Sequence, residues 1–496
     1  MLENITNERK INMKKLLIIA AALILALMLT VSAFAKETKQ TSFSFWSKEP
    51  YVENETTKII DHVVYRLCNK GGETHYDVYD WFDTQKAAKT VEEINIVPEI
   101  DGIKVTSVQC LSQYREEFQY NKRDYYENHN YSVKKVTIPD TITYIGPGIF
   151  SVLEAVEELV IPASVETYSF KNMESLKKVT FLGDIEALGG FGECTKLESV
   201  NLCGTVKRIG YEAFEYCEAL KYFDIPETVT DISYAAFYSS GLRKVTIPAD
   251  IDYSYAYPTF IFAYCDKLRV VTFSGESTEY LRIPRAMFFN CTALETVNFP
   301  EYCKTLDVER SAFKGCRSLE TFTFPKKTDV TILYDEVFLD CPYLESVVFP
   351  ENCNELTIGK WTFRLCTSLK SVTLPNTAKK ILISAKAFRG RDTLTTVKNS
   401  QNITKICGGA FRDCTALKSF TVSDKLTMIG ENAFYGCKNL KTFNVKGKSD
   451  APKIYSGAFA KTNSALKFTV TNNAVAKSWK TALSNSGLKN AKITVK

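Results

Sequence analysis

The chain has 496 residues, of which 45% are apolar, and it carries 62 Lys and Arg against 57 Asp and Glu. This apolar content is enough to build a core and excludes a wholly disordered chain. Fifteen cysteines cannot all pair within one chain, and only His62, His75 and His129 are available for metal binding or acid–base catalysis, so the composition argues against both a disulfide scaffold and an ordinary hydrolase.

The first 35 residues have the three parts of a secretory signal peptide. Two lysines precede an apolar run over residues 16–31, and the run ends in the small-residue sequence Ser-Ala-Phe-Ala at 32–35. We predict cleavage before Lys36, with Met13 as an alternative start, which leaves 58 basic against 55 acidic residues and a net charge of +3. An uncleaved membrane anchor is the alternative, since the run approaches the ~20 residues that span a bilayer.

Residues 36–130 are predicted to form an N-terminal cap that contains a tyrosine-rich insertion at 114–131. A second tyrosine-rich stretch, at 252–260, interrupts the pattern that follows the cap. Tyrosine offers a large amphipathic contact area at low entropic cost, and insertions in repeat arrays often lie beside a binding face. The alternative is that these rings only cover neighbouring structure. The candidate partner-binding tyrosines are Tyr114, Tyr120, Tyr125, Tyr126, Tyr131, Tyr253, Tyr255 and Tyr257.

From residue 131 to residue 465 the chain repeats the frame A-F-x-x-C-x-x-L-x-x-V-x-I-P-x-x-V-x-x-I-G. The three-residue spacing of F-x-x-C-x-x-L predicts a short helical or 3₁₀ turn, and the alternation of V-x-I predicts a strand with one buried face. One such unit cannot bury its own apolar face, so we predict a solenoid of about 14 stacked units of 20–26 residues. Three copies illustrate the predicted core: Phe214, Cys217 and Leu220; Phe313, Cys316 and Leu319; and Phe411, Cys414 and Leu417.

The repeated frame resembles the BspA-like, treponemal-type leucine-rich repeat family over roughly residues 130–465. The segments 93–106 and 474–495 resemble the N-terminal and C-terminal caps of that family, and we assign residues 466–496 to a C-terminal cap. The resemblance implies a mainly β solenoid and a secreted bacterial surface protein that takes part in adhesion or host contact. The copies at Phe150, Phe170, Phe237 and Phe388 lack the cysteine, which leaves the local geometry of those units open.

Nine cysteines occupy the F-x-x-C position, where we predict small, weakly polar fillers of the stacked core. Zinc sites need paired C-x₂₋₄-C, and the sequence contains no such pair. Cys303 and Cys353 are two repeats apart, a separation of about 10 Å at ladder spacing that exceeds disulfide reach. The nine are Cys194, Cys217, Cys265, Cys291, Cys316, Cys341, Cys366, Cys414 and Cys437.

Two positions of the repeat should form columns on the surface. The residue inside V-x-I is mostly Thr or Asn, which suits either a ligand-binding face or simple solvation of the sheet. The residue after the Leu is Glu in three consecutive copies, Glu295, Glu320 and Glu345. Like charges on neighbouring strands are destabilising, so this band suggests a bound cation or a basic partner, with weak repulsion through water as the alternative.

No catalytic motif is present, and we predict no catalytic, cofactor-binding or metal site. We expect an exported binding or adhesion module for a protein or glycan partner, of host or cell-wall origin, that stays monomeric and binds no nucleic acid. One alternative is a structural cell-envelope component held by the C-terminal end, where residues 435–496 carry 12 lysines and one acid. A glycoside hydrolase that uses two carboxylates is a remote alternative.

Overall fold

The computed structural model describes residues 55–70, 72–82, 85–109, 132–166, 168–253, 258–447 and 450–496, all within one compact unit of the chain. They form a β-solenoid of short parallel strands with very little helix, so the predicted fold class is confirmed. The predicted signal peptide, His129 and the insertion at 114–131 lie outside the described residues. Within the described part of the chain, no helix is long and apolar enough to cross a membrane.

The N-terminal region is a small mixed sheet that leads into the first coils of the solenoid. Strands one to three pair in antiparallel order, and the sixth then pairs parallel with the third. The fourth pairs with the seventh and the sixth with the eighth, so the region is continuous with the array. The elements are β1 (Thr57–Ile60), β2 (Val63–Lys70), β3 (Glu73–Asp80), α1 (Gln85–Thr90), β4 (Glu93–Asn95), β5 (Glu99–Ile100), β6 (Ile103–Val108), β7 (Lys135–Thr137) and β8 (Tyr144–Ile145).

The V-x-I segments form the main ladder, a column of parallel strands that runs along the array. Alternate residues are buried. In Glu158–Ile161, for example, the second and fourth residues are buried and the first and third are exposed, because the apolar residues of V-x-I face the core while the residue between them faces outwards. The strands are β9 (Glu158–Ile161), β10 (Lys178–Phe181), β12 (Ser199–Leu202), β14 (Tyr222–Asp224), β16 (Lys244–Pro248), β17 (Val270–Ser274), β19 (Thr296–Asn298), β21 (Thr321–Thr323), β23 (Ser346–Val348), β25 (Ser371–Thr373), β27 (Thr396–Lys398), β29 (Ser419–Val422), β31 (Thr442–Val445) and β33 (Lys467–Val470).

The V-x-x-I segments form a second ladder of parallel strands. From residue 185 onwards this ladder is interrupted once: one repeat, which holds the tyrosine-rich stretch at 252–260, contributes no strand among its described residues. Eight strands then pair without a break to the end of the array. The strands are β11 (Ile185–Leu188), β13 (Val206–Ile209), β15 (Asp231–Ile232), β18 (Ser277–Ile283), β20 (Tyr302–Val308), β22 (Lys327–Leu333), β24 (Glu355–Ile358), β26 (Lys380–Ile383), β28 (Lys405–Ile406), β30 (Met428–Ile429) and β32 (Lys453–Ile454).

The F-x-x-C-x-x-L segments form the turn column, which follows each second-ladder strand and precedes each main-ladder strand. The predicted three-residue spacing is present as consecutive turns: the Cys194 amide donates to the Phe191 carbonyl and the Leu197 amide to the Cys194 carbonyl. The turns do not join into a helix, because the second residue after the Phe has a positive φ, as at Glu193 (64°). A left-handed residue breaks a right-handed helix.

The marking phenylalanines stack in one continuous row inside the solenoid. Their neighbouring ring centroids are 4.8–5.7 Å apart, and all fourteen rings are buried. Burial of aromatic area at each step makes this row the main apolar contribution of the turn column. The row is Phe150, Phe170, Phe191, Phe214, Phe237, Phe262, Phe288, Phe313, Phe338, Phe363, Phe388, Phe411, Phe434 and Phe459.

The nine slot cysteines are fully buried, so the prediction that they fill the core is confirmed. Each thiol also donates a weak hydrogen bond to the carbonyl of the marking Phe one repeat earlier, as Cys341 Sγ does to Phe313 O at 3.2 Å. The other eight S···O distances are 3.0–3.2 Å. Cys303 and Cys353 are free and buried, and no disulfide joins any described cysteine. The nine slot cysteines therefore link successive coils by hydrogen bonds and not by covalent bonds.

Arg391 occupies the cysteine position in the Phe388 copy. The residue is 6% exposed, its Nη1 has no hydrogen-bond partner, and its Nε reaches only the Arg389 carbonyl, at 3.4 Å. Burial lowers the pKa of this guanidinium, while the Cys366 and Cys414 thiols on either side act in the opposite direction. The unit keeps its fold but holds a poorly solvated cation in the core.

The C-terminal end closes the main ladder with one helix and one strand, α2 (Asn473–Asn485) and β34 (Lys492–Val495). The Asn472 side chain caps the helix by accepting from the Val475 amide at 2.9 Å. Trp479 is 1% exposed and packs on Phe443 and Phe468 at centroid distances of 5.9 and 6.1 Å. The last apolar coil is thereby covered, as a repeat array requires.

Candidate functional site

The outward-facing residues of the main ladder form a regular polar column. Strand register places Thr180 between Val160 and Asn201, and Thr272 between Thr246 and Asn298. Amide groups bond across the strands here: Asn201 Nδ2 donates to Thr180 Oγ1 at 3.3 Å and Asn298 Nδ2 to Thr272 Oγ1 at 3.1 Å. The column predicted from the sequence is therefore a regular surface whose members are exposed or partly exposed.

The charged residues that come directly after each Leu lie alongside this column. Most of them are linked from one repeat to the next by backbone hydrogen bonds, such as the one that the Glu345 amide donates to the Glu320 carbonyl at 2.8 Å. The outer two members of the glutamate band are neutralised by cations one repeat away. Glu295 pairs with Arg269 at 3.3 Å and Glu345 with Lys370 at 2.6 Å.

Glu320, between them, is exposed and forms no ion pair with any described residue. No group of three or more His, Cys, Asp or Glu side chains among the described residues could hold a metal ion. The band therefore presents one uncompensated carboxylate beside two compensated ones.

A row of lysines occupies the same stripe at its C-terminal end. Lys441 donates its amide to the Lys418 carbonyl and Lys467 to the Lys441 carbonyl, each at 2.9 Å, and Lys492 lies in register with Lys467. All four side chains are exposed. None of them pairs with an acid in the part of the chain that the structure describes, so the row is a continuous positive edge.

The structure places only one of the eight candidate tyrosines. Tyr253 is 2% exposed, its hydroxyl has no hydrogen-bond partner, and burial raises its pKa well above the usual range. Its ring lies in the core of the interrupted repeat and cannot contact a partner, so the geometry contradicts the prediction for this residue. The others lie outside the described residues: Tyr114, Tyr120, Tyr125, Tyr126, Tyr131, Tyr255 and Tyr257.

Exposed tyrosines that the sequence reasoning missed lie on the turn column. Tyr211 is 63% exposed, and Tyr216 and Tyr264 are each 40% exposed. Tyr238 lies between the last two, with ring centroids 5.7 Å from Tyr216 and 5.2 Å from Tyr264. The signal available in the sequence was aromatic residues at the variable positions of F-x-x-C in three consecutive copies, Phe214, Phe237 and Phe262.

The N-terminal sheet contains a cluster of residue types that catalytic sites use, in which the carboxylate contacts both of the other groups. Asp77 accepts a hydrogen bond from Ser107 and lies 3.3 Å from His75 Nε2, so the carboxylate stands between the other two groups. A nucleophilic serine needs the histidine next to it. Cys68 lies opposite His75 in the strand register, and burial followed by the charge of Asp77 raises its pKa to about 11. This thiol is not activated.

Comparisons with known proteins agree with this architecture. A family profile described as "BspA type Leucine rich repeat region (6 copies)" matches residues 121–240, 189–308, 257–383 and 381–496. No curated protein matches the chain.

Among solved structures, a leucine-rich repeat protein from Bacteroides ovatus is 22% identical and has a TM-score of 0.54, covering 88% of this chain and 99% of its own. A leucine rich cell surface protein from Faecalibacterium prausnitzii is 19% identical, with 86% and 98% coverage and a TM-score of 0.32. The first of these similarities shows the fold.

Proposed function

Because this chain belongs to the BspA-type leucine-rich repeat family, we propose that it is an exported bacterial binding protein that engages a partner protein through the exposed face of its main ladder. The family is built of leucine-rich repeats, which favours a binding role. Export is supported by the signal-peptide pattern of residues 1–35. Adhesion at the cell surface is the role that this combination favours.

One observation carries the proposal: the main ladder presents a regular polar surface that is bordered by an uncompensated carboxylate, Glu320. Regular Thr and Asn side chains offer hydrogen-bond donors and acceptors at ladder spacing. Solvation alone explains such a column, but it does not explain why Glu320 stands between Glu295 and Glu345 with no cation of its own. A lysine or arginine of a partner would pair with Glu320 in the way that Arg269 and Lys370 pair with the glutamates on either side of it.

A binding assay with charge-reversal variants tests this surface. Full-length mature protein is presented to a panel of immobilised extracellular-matrix proteins, and affinities of retained partners are measured for the wild type and for Glu320→Lys. The control is Glu279→Lys in β18 of the second ladder, because Glu279, like Glu320, is an exposed acid. We expect Glu320→Lys to weaken binding about tenfold or more and the control to have no effect. Equal affinities of the two variants would refute the assignment.

The lysine row favours a second candidate function, retention of the protein on an anionic cell-envelope polymer. Lys418, Lys441, Lys467 and Lys492 form an unbroken positive edge, and phosphate-bearing polymers bind such edges mainly by charge. Salt separates the two functions, because ionic retention falls steeply with ionic strength whereas a protein interface with desolvated contacts falls less. Release from purified walls by salt, abolished retention in Lys441→Glu/Lys467→Glu, and unchanged binding to proteins would identify this role.

A further inference from the structure

In thirteen of the fourteen copies, the second residue after the marking Phe has a left-handed backbone. From the Phe170 copy to the Phe459 copy, φ at this position lies between 52° and 78°. Glycine and asparagine adopt this conformation most readily, and several copies use them, for example Asn172, Asn290, Gly315 and Gly436. A bulky side chain at this position is unfavourable for the folded state.

Two copies, separated by one other copy, carry the bulky residue tyrosine at this position. Tyr216 has φ 56° and Tyr264 has φ 61°, and both side chains are 40% exposed, so core packing does not require them. Strained, exposed side chains persist where they serve a function rather than stability. Leu365 shares this combination of left-handed backbone and exposure, but Tyr216 and Tyr264 differ from it in that both rings contact a further tyrosine, Tyr238.

These rings belong to two groups of ring contacts on the same three copies, which we together call the tyrosine patch and define as Tyr211, Tyr216, Tyr234, Tyr238 and Tyr264. Tyr211 stacks on Tyr234 at 5.2 Å, and Tyr238 bridges Tyr216 and Tyr264. The contacts run across the Phe214, Phe237 and Phe262 copies, on the turn column and not on the main ladder. Tyrosine surfaces of this kind are enriched where proteins bind one another.

Acidic residues border the tyrosine patch on its N-terminal side. Burial, and then the charge of Glu212, raise the pKa of Glu215, and Glu193 adds to the effect. Lys171 is the cation that faces these three carboxylates, at 3.3 Å from Glu193 and 3.7 Å from Glu212. The surface therefore combines electron-rich rings with excess negative charge, which favours cationic groups by both cation–π and ionic attraction.

We propose that the tyrosine patch binds a lysine- or arginine-rich peptide segment of a partner protein. The segment places its cations over the Tyr216, Tyr238 and Tyr264 rings and beside Glu212 and Glu215. This surface is separate from the main ladder, so the proposal goes beyond the function given above and stands or falls independently of it.

Anisotropy measurements with fluorescent peptides test the proposal in the full mature chain at about 50 mM salt, where exposed charges are only partly screened. The probes are an alternating Arg-Gly dodecapeptide and an alternating Glu-Gly dodecapeptide of equal length. The test variant is Tyr216→Asn/Tyr264→Asn, which removes two rings and places asparagine where Asn172 and Asn290 already occur. The matched control is Leu365→Asn, at the same repeat position with φ 66° and 46% exposed but outside the patch.

We expect the Arg-Gly peptide to bind the wild type and Leu365→Asn equally, and to bind the double tyrosine variant about tenfold more weakly, because each lost cation–π contact contributes appreciably. The melting temperature of the double variant should stay within about 2 °C of the wild type or rise, since strain is relieved as ring contacts are lost. This stability readout keeps misfolding from imitating loss of binding.

The double variant Glu212→Gln/Glu215→Gln should also bind the Arg-Gly peptide more weakly than the wild type. Glu320→Lys, beside the main ladder, should bind this peptide with unchanged affinity. Three results would overturn the proposal: equal peptide affinity of the double tyrosine variant and the wild type, equal binding of the Glu-Gly peptide, or binding of a neutral oligosaccharide in place of the basic peptide. Failure of the main-ladder assay with success here would refute only the proposed function.

Discussion

Replacing the buried arginine by the cysteine that the repeat otherwise uses should stabilise the array. Arg391→Cys turns F-R-G-R-D-T-L into the regular F-x-x-C-x-x-L frame without changing its length. The new thiol would lie between Cys366 and Cys414, in reach of the Phe363 carbonyl, because every other slot cysteine donates to the Phe one repeat earlier. The change removes a cation that is 6% exposed and whose Nη1 has no partner.

The magnitude follows from two opposing contributions to the free energy of unfolding. A buried donor without a partner destabilises the fold by about 1–3 kcal/mol, and a charged donor lies towards the upper end of that range, at about 2–3 kcal/mol. Loss of packing by the aliphatic stem of Arg391, partly refilled by the thiol, removes about 1 kcal/mol of stability. We therefore expect a net gain of about 1–2 kcal/mol, in line with the replacement of buried charges by apolar residues in other folds.

Amide hydrogen exchange is the suitable assay, since a long repeat array need not unfold in two states. Exchange over the Phe388 and Phe411 copies should slow by about 5- to 30-fold in Arg391→Cys, while the N-terminal copies stay unchanged. Arg389→Ala, next to it but exposed, is the control and should have little effect. Faster exchange in Arg391→Cys would refute the argument, because it would show that the guanidinium stabilises its repeat.

Further predictions concern the thiols, the cap and the glutamate band. Burial raises the pKa of Cys194, Cys265, Cys366 and Cys437 to about 12 from an ordinary 9.0. Because these thiols ionise at a lower pH in the unfolded chain, the free energy of unfolding should fall between pH 9 and pH 12 by about 1.4 kcal/mol per thiol and pH unit. Denaturant titration at several pH values measures this change, and a free energy of unfolding that does not change with pH would contradict the prediction. A thiol reagent at pH 8 should modify exposed Cys203 and spare the nine slot cysteines until denaturant is added; rapid labelling of all nine in the native protein would contradict their burial. Trp479→Ala should destabilise the last coils by about 3–5 kcal/mol, seen as loss of exchange protection near Phe443 and Phe468, and protection equal to the wild type would show that the helix is not a cap.

The repeat frame determined most of the fold from sequence alone. Phe214, Cys217 and Leu220 are buried as their spacing predicts, and the V-x-I residues alternate as a half-buried strand does. The frame could not reveal that the F-x-x-C segment is a pair of turns, because a left-handed φ leaves a sequence signature only where Gly or Asn occurs, and Glu193 or Tyr216 conceals it.

The candidate site was less accessible from the sequence. The glutamate band was visible because the repeat fixes the register of Glu295, Glu320 and Glu345, but its ion pairs to Arg269 and Lys370 depend on side-chain reach. Tyrosine density suggested Tyr253 as a contact residue, although its ring is buried. The number of tyrosines in a stretch of sequence does not indicate whether their side chains are exposed. The position of a tyrosine relative to the marking Phe does indicate it, as at Tyr216 and Tyr264.

Carboxyl footprinting of the complex tests the central claim, that the main ladder is the binding face, most directly. The chain from residue 36 onwards, alone and saturated with a partner retained in the panel, is modified with a carbodiimide and an amine. The modification rate of each acidic residue is then measured by mass spectrometry. We predict that Glu320 and its neighbours Glu295 and Glu345 become protected, with Glu320 slowed about tenfold or more, while Glu279 on the second ladder reacts as before. Protection of Glu279 with an unchanged rate at Glu320 would contradict the claim.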